Sequence, residues 1–263
     1  MAKRKVVKNL TAHRKNFADL LNKFGSYGYS RWNAFTDFLE LSAISIASCD
    51  RYGLLTTKET LDERENQYRR IIGKYRQETQ PLFSQMLAQI VAELESYCPN
   101  HLTDVLGELF HELEFNDRWK GQFFTPQNVC DMIGMMNFGD CDAAIKSKDF
   151  VSVNEPCCGG GALLLGAANG MRAAGYNPNT QMLIVAGDID DKCVHMCYVQ
   201  LSLYGLPAIV QRKNALTQET FGEPWYTPVF LIDGWIWKMR HLVAEKIPLP
   251  EETNSTRGQM SLF

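Results

Sequence analysis

The residues best suited to chemistry form one short run: Asn154, Glu155, Pro156, Cys157 and Cys158, then Gly159, Gly160 and Gly161. Consecutive glycines let a backbone turn sharply and let a ligand lie against bare peptide groups. Ala162 and three leucines follow, an apolar opening for a helix. The first N–H groups of such a helix have no partner inside it and can receive a carboxylate or a phosphate. The run is neither Gly-x-Gly-x-x-Gly nor a loop ending in Gly-Lys-Ser/Thr, so a nicotinamide cofactor and ATP are not favoured. Alone, it also reads as a tight strand–helix connection. Asp188 sharpens it, because it ends the apolar run 182–186 by way of Gly187. An acid at the carboxyl end of a second strand can accept hydrogen bonds from ribose hydroxyls held at the first turn; a helix N-cap is the plain alternative. Beside it, Ile189 is placed to cover one face of a base, and Asn214 to meet a base edge.

These residues need an alternating scaffold, and the pattern from about residue 120 supplies one. Thr125 and Pro126 read as an N-cap and a first-turn proline, opening a helix to about 136. A β-rich run at 150–153 precedes the glycine turn, and a helix over 162–174 ends at Gly175. The run 182–186 suits a buried parallel strand. A helix over 191–204 ends at Gly205, a third strand covers 208–211, and 229–232 supplies a fourth. Strand–helix–strand alternation of this kind indicates a parallel α/β sheet.

Before it, residues 10 to about 115 read as helices. Phe17, Leu20, Leu21 and Phe24 recur at helical spacing, as do Tyr68, Ile71, Ile72 and Tyr75, and Pro81 opens another stretch to Tyr97. The chain has 263 residues, 45% hydrophobic and 22% charged, which is ordinary globular composition and excludes collagen-like, coiled-coil and wholly disordered chains. No apolar run approaches the ~18–20 residues of a membrane span, and the basic N-terminus lacks the apolar core of a secretory signal. The expected location is cytoplasmic. Eight cysteines then read as reduced thiols. In the group Cys193, His195 and Cys197, helical spacing turns the histidine away from the two cysteines, so buried thiols are favoured over a zinc site.

Read in order, Gly121-Gln-Phe-Phe-Thr-Pro126, Asn154-Glu-Pro-Cys-Cys-Gly-Gly-Gly-Ala-Leu-Leu164, Gly187-Asp-Ile-Asp190 and Asn214-Ala-Leu216 resemble the adenine-N6 DNA methyltransferases of the type I restriction–modification kind. Asp104-Val-Leu-Gly-Glu-Leu-Phe-His-Glu112 resembles that family's last N-terminal helix. The resemblance covers about residues 104–216. It implies a Rossmann-like methyltransferase fold, with an incomplete sheet and a helical N-terminal region, and an S-adenosylmethionine pocket. In that pocket Phe124 and Thr125 match residues that hold the methionine part of the cofactor. Glu155, Gly159 and Gly161 match the glycine turn, where Cys157 and Cys158 replace small residues and keep it compact. Asp188 matches the ribose-binding acid, Ile189 lies beside the adenine, and Asn214 stands where the family often has an Asp that binds the adenine amino group. No metal is implied.

One departure stands out. The family's catalytic signature, Asn/Asp/Ser-Pro-Pro-aromatic, holds the target amino group and stacks on the flipped base. This chain has no such string. The remaining candidates are Asp233 with Trp235 as the stacking ring, and Thr227 with Phe230. Only 30 residues follow Asp233, too few for the family's remaining strands and target-recognition part. The expected organisation is a helical region over 1–115, a cofactor-binding α/β domain over 116–246 and a flexible tail over 247–263.

Net charge is −3, yet residues 1–25 carry Lys3, Arg4, Lys5, Lys8, Arg14, Lys15 and Lys23 against Asp19 alone. Such an arm can neutralise phosphates, and Lys3, Arg4, Lys5, Lys8, Arg14 and Lys15 are the DNA-binding candidates; a solvated terminus is the other reading. The final residues, Gln259, Met260, Ser261, Leu262 and Phe263, resemble the peptide that docks on the bacterial sliding clamp, with a polar leash before them. The expected function is an adenine-N6 DNA methyltransferase or a subunit of one, with DNA, another subunit for target recognition and the sliding clamp as partners, in the cytoplasm at the nucleoid. The alternative is a catalytically inactive adaptor of the same fold that binds DNA or a DNA-processing partner and docks on the clamp.

Overall fold

The computed structural model describes residues 11–50, 52–98, 100–113, 115, 125–138 and 140–239. Helices α1 (Ala12–Ser26), α2 (Arg31–Ala47), α3 (Lys58–Ile72), α4 (Pro81–Tyr97) and α5 (Val105–Glu112) build the amino-terminal part. Their starts are chemically marked. The side chains of Thr11, Ser30, Thr57 and Asp104 accept hydrogen bonds from backbone N–H groups in the first turns of α1, α2, α3 and α5, and Pro81 opens α4. Helices α6 (Gln127–Phe138) and α7 (Asp142–Lys148) lead into strand β1 (Val151–Glu155). Then come α8 (Ala162–Ala173), the single turn α9 (Pro178–Gln181), β2 (Met182–Asp188), α10 (Asp191–Leu203), β3 (Ala208–Arg212), β4 (Trp225–Tyr226) and α11 (Pro228–Ile232).

The strands lie in the order β1-β2-β3-β4. β1, β2 and β3 are parallel, with Glu155 opposite Ala186 and Asp188 opposite Arg212, so their carboxyl ends share one edge of the sheet. β4 runs antiparallel to β3, Tyr226 opposite Ile209. One face of the sheet, carrying Ile184, Ala186, Ala208 and Val210, joins an apolar cluster continuous with Phe17, Phe35, Phe38 and Phe110 of the helical part. The helical region and the sheet therefore share a core. The other face is covered near its amino end, where Phe150, Leu183, Phe230 and Trp235 form a second cluster. Ser152 and Asn154 of β1 stay exposed on it.

Two joints fix the helices that flank the turn. α6 and α8 cross backbone to backbone: a Cβ added at Gly134 would land on the Gly166 carbonyl, and one at Gly170 on that of Gly134. Asn169 of α8 hydrogen-bonds both main-chain groups of Leu102 and the Asp131 carboxylate (2.8–2.9 Å), tying the α4–α5 connection to α6 and α8.

The run 229–232 is the one expected strand that the structure makes a helix. Pro228 stands in its first turn after Thr227, and β4 at Trp225–Tyr226 takes the fourth place in the sheet. Arg14 is also reassigned. It faces inward from α1 at 5% exposure, with Nε 2.7 Å from Glu93, Nη2 2.6 Å from Glu108 and Nη1 3.0 Å from Glu112. Burial works against its charge, but Glu108, Glu112 and Glu93 more than offset this and raise its pKa. Its guanidinium is committed to these carboxylates, so phosphate binding is not its role. Lys15, one residue on, is exposed; Lys3, Arg4, Lys5 and Lys8 lie outside the described residues.

Candidate functional site

β1 ends at Glu155, whose Oε1 accepts from the Cys157 N–H at 3.0 Å. The chain then turns through Gly159 and Gly161, at φ 52° and 99°, in the left-handed region that side chains disfavour. Space adds a second demand at Gly161, where a Cβ would sit 3.2 Å from the Cys197 Sγ. The Gly161 N–H closes the turn on the Cys158 carbonyl at 2.8 Å, and the Cys158 N–H bonds the Gly187 carbonyl at 2.8 Å. The turn is thus laid across the end of β2. Cys157 is exposed at its crest and Cys158 is buried beneath. Contact with Cys197 and burial push the Cys158 thiol well above its ordinary range, and burial does the same to Cys193. These thiols pack as small apolar groups with little nucleophilic character.

Asp188 ends β2 with its carboxylate at the turn. Oδ2 accepts from the Gly159 N–H and Oδ1 from the Asp190 N–H, each at 3.0 Å. Both bonds orient the carboxylate, and each oxygen keeps a lone pair for a ligand hydroxyl. Asp188 itself is not the helix cap, because Asp190 caps α10. Ile189 is 49% exposed beside it. Asn214 stands just past β3 at the same edge, where its Oδ1 accepts from the Leu216 and Thr217 N–H groups (2.9 and 3.2 Å) and shapes the following loop.

Thr125 is exposed immediately before α6, whose first hydrogen bonds run back to the Pro126 carbonyl. The helix therefore starts one residue later than the proline signal suggests. Asp104 links this helix to the turn: its N–H donates to Gln127 Oε1 at 2.9 Å, and a Cβ at Gly160 would lie 3.4 Å from its Oδ1. The glycine turn, Asp188 and the start of α6 are thereby brought together. Phe124 lies outside the described residues. The joint role of Asp104 was missed in the sequence. Its position before an amphipathic run marks an N-cap, but nothing local marks its partner Gln200, 96 residues away.

The four catalytic candidates are elsewhere. Trp235 is fully buried against Phe150, ring centroids 5.2 Å apart, in the cluster at the amino end of the sheet. Thr227 is fully buried too; its hydroxyl accepts from the Ala208 N–H and donates to the Leu206 carbonyl, both at 2.8 Å, at the start of β3. Phe230 stacks on Tyr226, and Asp233 is exposed at the end of α11. From Leu183, which packs with Trp235, to Asp188 is about 16 Å of strand. Stacking on a base held at the carboxyl end of the strands is thus not open to Trp235 or Phe230, and Asp233 follows a helix at the opposite end.

In the Cys193, His195, Cys197 group, α10 turns His195 onto Trp225 (5.1 Å between centroids) and Cys197 under Gly161. Burial, with Arg64 and Lys192 adding to it, pushes the His195 pKa down to about 3. The imidazole is a neutral packing group. Among the described residues, no helix is long and apolar enough to cross a membrane.

No curated protein matches the chain. Among solved structures, the methyltransferase subunit of a type I restriction-modification system from Streptococcus thermophilus is similar over 79% of this chain, at 16% identity and a TM-score of 0.37. The present chain spans 58% of that protein's length. The N-6 DNA methylase family matches residues 101–245, more than half of the sequence and including the turn, Asp188 and α6. The chain belongs to the N-6 DNA methylase family.

Proposed function

We propose that the chain binds S-adenosylmethionine at the carboxyl edge of its sheet and is the cofactor-holding part of an adenine-N6 DNA methyltransferase. The observation that carries this reading is the Asp188 carboxylate bonded to the Gly159 N–H, beside a turn that Asp104 joins to the start of α6. The residues fit the group. Asp188 has lone pairs for two ribose hydroxyls, Ile189 offers an apolar surface for the adenine, and the first-turn N–H groups of α8 and α6 suit a carboxylate. Bound there, S-adenosylmethionine supplies a sulfonium methyl group for transfer to an exocyclic amine. Phe124 and Thr125 hold its methionine end, and Glu155, Cys157, Gly159 and Gly161 shape the turn. Asn214 orients the loop beside the base.

The polar group and ring that hold a flipped adenine are supplied by a second subunit, which also reads the DNA sequence. Placement of Thr227, Phe230, Asp233 and Trp235 at the far end of the sheet favours this division of labour. Lys3, Arg4, Lys5, Lys8 and Lys15 add non-specific phosphate contacts, and residues 259–263 dock on the sliding clamp. The test is transfer of a labelled methyl group from S-adenosylmethionine to unmethylated DNA, with and without a candidate target-recognition subunit. Cofactor binding at micromolar concentration with label reaching adenine only in the presence of a partner is the expected result. Binding without transfer under every partner condition overturns the enzyme reading.

The same misplaced candidates also favour the second reading, an inactive adaptor. Calorimetry separates the two: absence of heat with S-adenosylmethionine, together with clamp binding lost on deletion of residues 259–263, supports the adaptor.

A further inference from the structure

Gly159 and Gly161 sit on either side of Gly160 in left-handed conformations. Three adjacent residues without side chains have little of their own to hold a backbone in one shape. What holds Gly160 comes from two other elements. The Gln200 side chain of α10, fully buried, donates one amide hydrogen to the Gly160 carbonyl (2.8 Å) and the other to Asp104 Oδ1 (2.7 Å). Its Oε1 accepts from the Leu106 N–H of α5 at 3.1 Å. Every hydrogen-bonding group of the amide is therefore used, each on a different partner.

Asp104, 3% exposed, also accepts from the Gly107 N–H at 2.8 Å. Its carboxyl lies between two backbones. A Cβ at Gly107 would fall on the carboxyl, and one at Gly160 would lie 3.4 Å from Oδ1 and 2.9 Å from the Met196 Sδ. Gly107 thus makes room for the Asp104 carboxyl, while Gly160 makes room for Met196 and lies in contact distance of the same carboxyl. An apolar residue at 200 would fill the same space without the cost of burying polar groups; what the polar pair adds is direction, because a hydrogen bond fixes where the Gly160 carbonyl points.

We infer that Asp104 and Gln200 are positioning residues for the cofactor turn, a buried bracket through which the helical region sets the turn's conformation before any ligand arrives. This rests on the cofactor reading of the turn. Rigidity of this kind raises affinity by removing an ordering cost from binding. Burial pushes the Asp104 carboxyl above its ordinary range, as expected for an acid held out of water for its geometry.

The experiment uses the full chain and four variants: D104L, Q200M, D104N and, as a control, E93Q. The control disturbs the Arg14 cluster in the same helical region without touching the turn. Two readouts are taken, amide hydrogen exchange at Gly159 and Gly161 without ligand and calorimetric affinity for S-adenosylmethionine. D104L and Q200M are expected to speed exchange at both glycines at least tenfold and to weaken binding at least tenfold. Their combination should do no more than the stronger single change, because both break one bracket. D104N keeps an acceptor for Gly107 and Gln200 and should stay within threefold of the parent. E93Q should lower the melting temperature and leave both readouts unmoved. Should D104L not fold, Q200M, which has similar volume and no amide, carries the measurement. Parent-like exchange at Gly159 and Gly161 in folded Q200M overturns the bracket. Failure of the parent to bind S-adenosylmethionine overturns the cofactor reading alone, since exchange still decides the bracket.

Discussion

The two ends of the parallel strands are built for opposite purposes. At the carboxyl end the backbone is bare: glycines in left-handed conformations, a carboxylate with spare lone pairs, and Ile189 half exposed. At the amino end Trp235, Phe150, Leu183 and Phe230 fill the space, and the Thr227 hydroxyl is used up on backbone. One end is left open and the other is closed. The aromatic residues that the sequence offered for catalysis sit where packing needs them.

This contrast predicts which substitutions separate stability from binding. Trp235→Ala should have the largest effect, a loss of about 3–5 kcal/mol from emptying a fully buried site. Cofactor affinity of the folded protein should not change; denaturant unfolding and calorimetry on the same sample check both. A drop in affinity would mean that the closed end reaches the ligand after all. Asp188→Ala should invert the pattern, weakening S-adenosylmethionine binding by roughly 30- to 100-fold, about 2–3 kcal/mol for lost charge-assisted hydrogen bonds. Equal affinity in parent and variant would remove Asp188 from the site.

His195 probes α10, which joins the two ends. Its folded pKa of about 3 lies below the ~6.5 of an unfolded chain, so the unfolded state takes up the proton first. Its contribution is whole above pH 6.5 and declines as pH falls toward 3, by about 1.4 kcal/mol per unit. Thermal melts between pH 6.5 and 5 should show this slope, and His195→Gln should flatten it. Asp233→Ala should do least: within about 0.5 kcal/mol in stability, as for other exposed positions, and with no change in methyl transfer in any reconstituted assay. Loss of transfer in that variant would restore Asp233 as a catalytic group.

Much of this arrangement was legible because its signals are local. Apolar runs mark the buried strands β2 and β3, Gly175 and Gly205 mark helix ends, and three glycines before an apolar helix mark the turn. The failures have physical reasons. The run 229–232 is apolar, with Val229 and Ile232 β-branched, but Thr227 and Pro228 repeat the Thr-Pro pair that precedes α6, and four residues are too few for composition to decide. Arg14 lies three and seven positions before Phe17 and Leu21, on the buried face of α1; its charge argued for solvent, and the three glutamates that hold it are distant in sequence. The Asp104–Gln200 pair was illegible for the same reason, since hydrogen bonds across 96 residues leave no periodic trace.

The meeting of α6 and α8 at Gly134, Gly166 and Gly170 has a mechanical consequence. Thr125 is carried on one helix and the glycine turn on the other. With peptide resting on peptide at these glycines, little between the two helices can yield. The start of α6 and the glycine turn are thereby held at a fixed separation, set by the two backbones and not by the side chains around them.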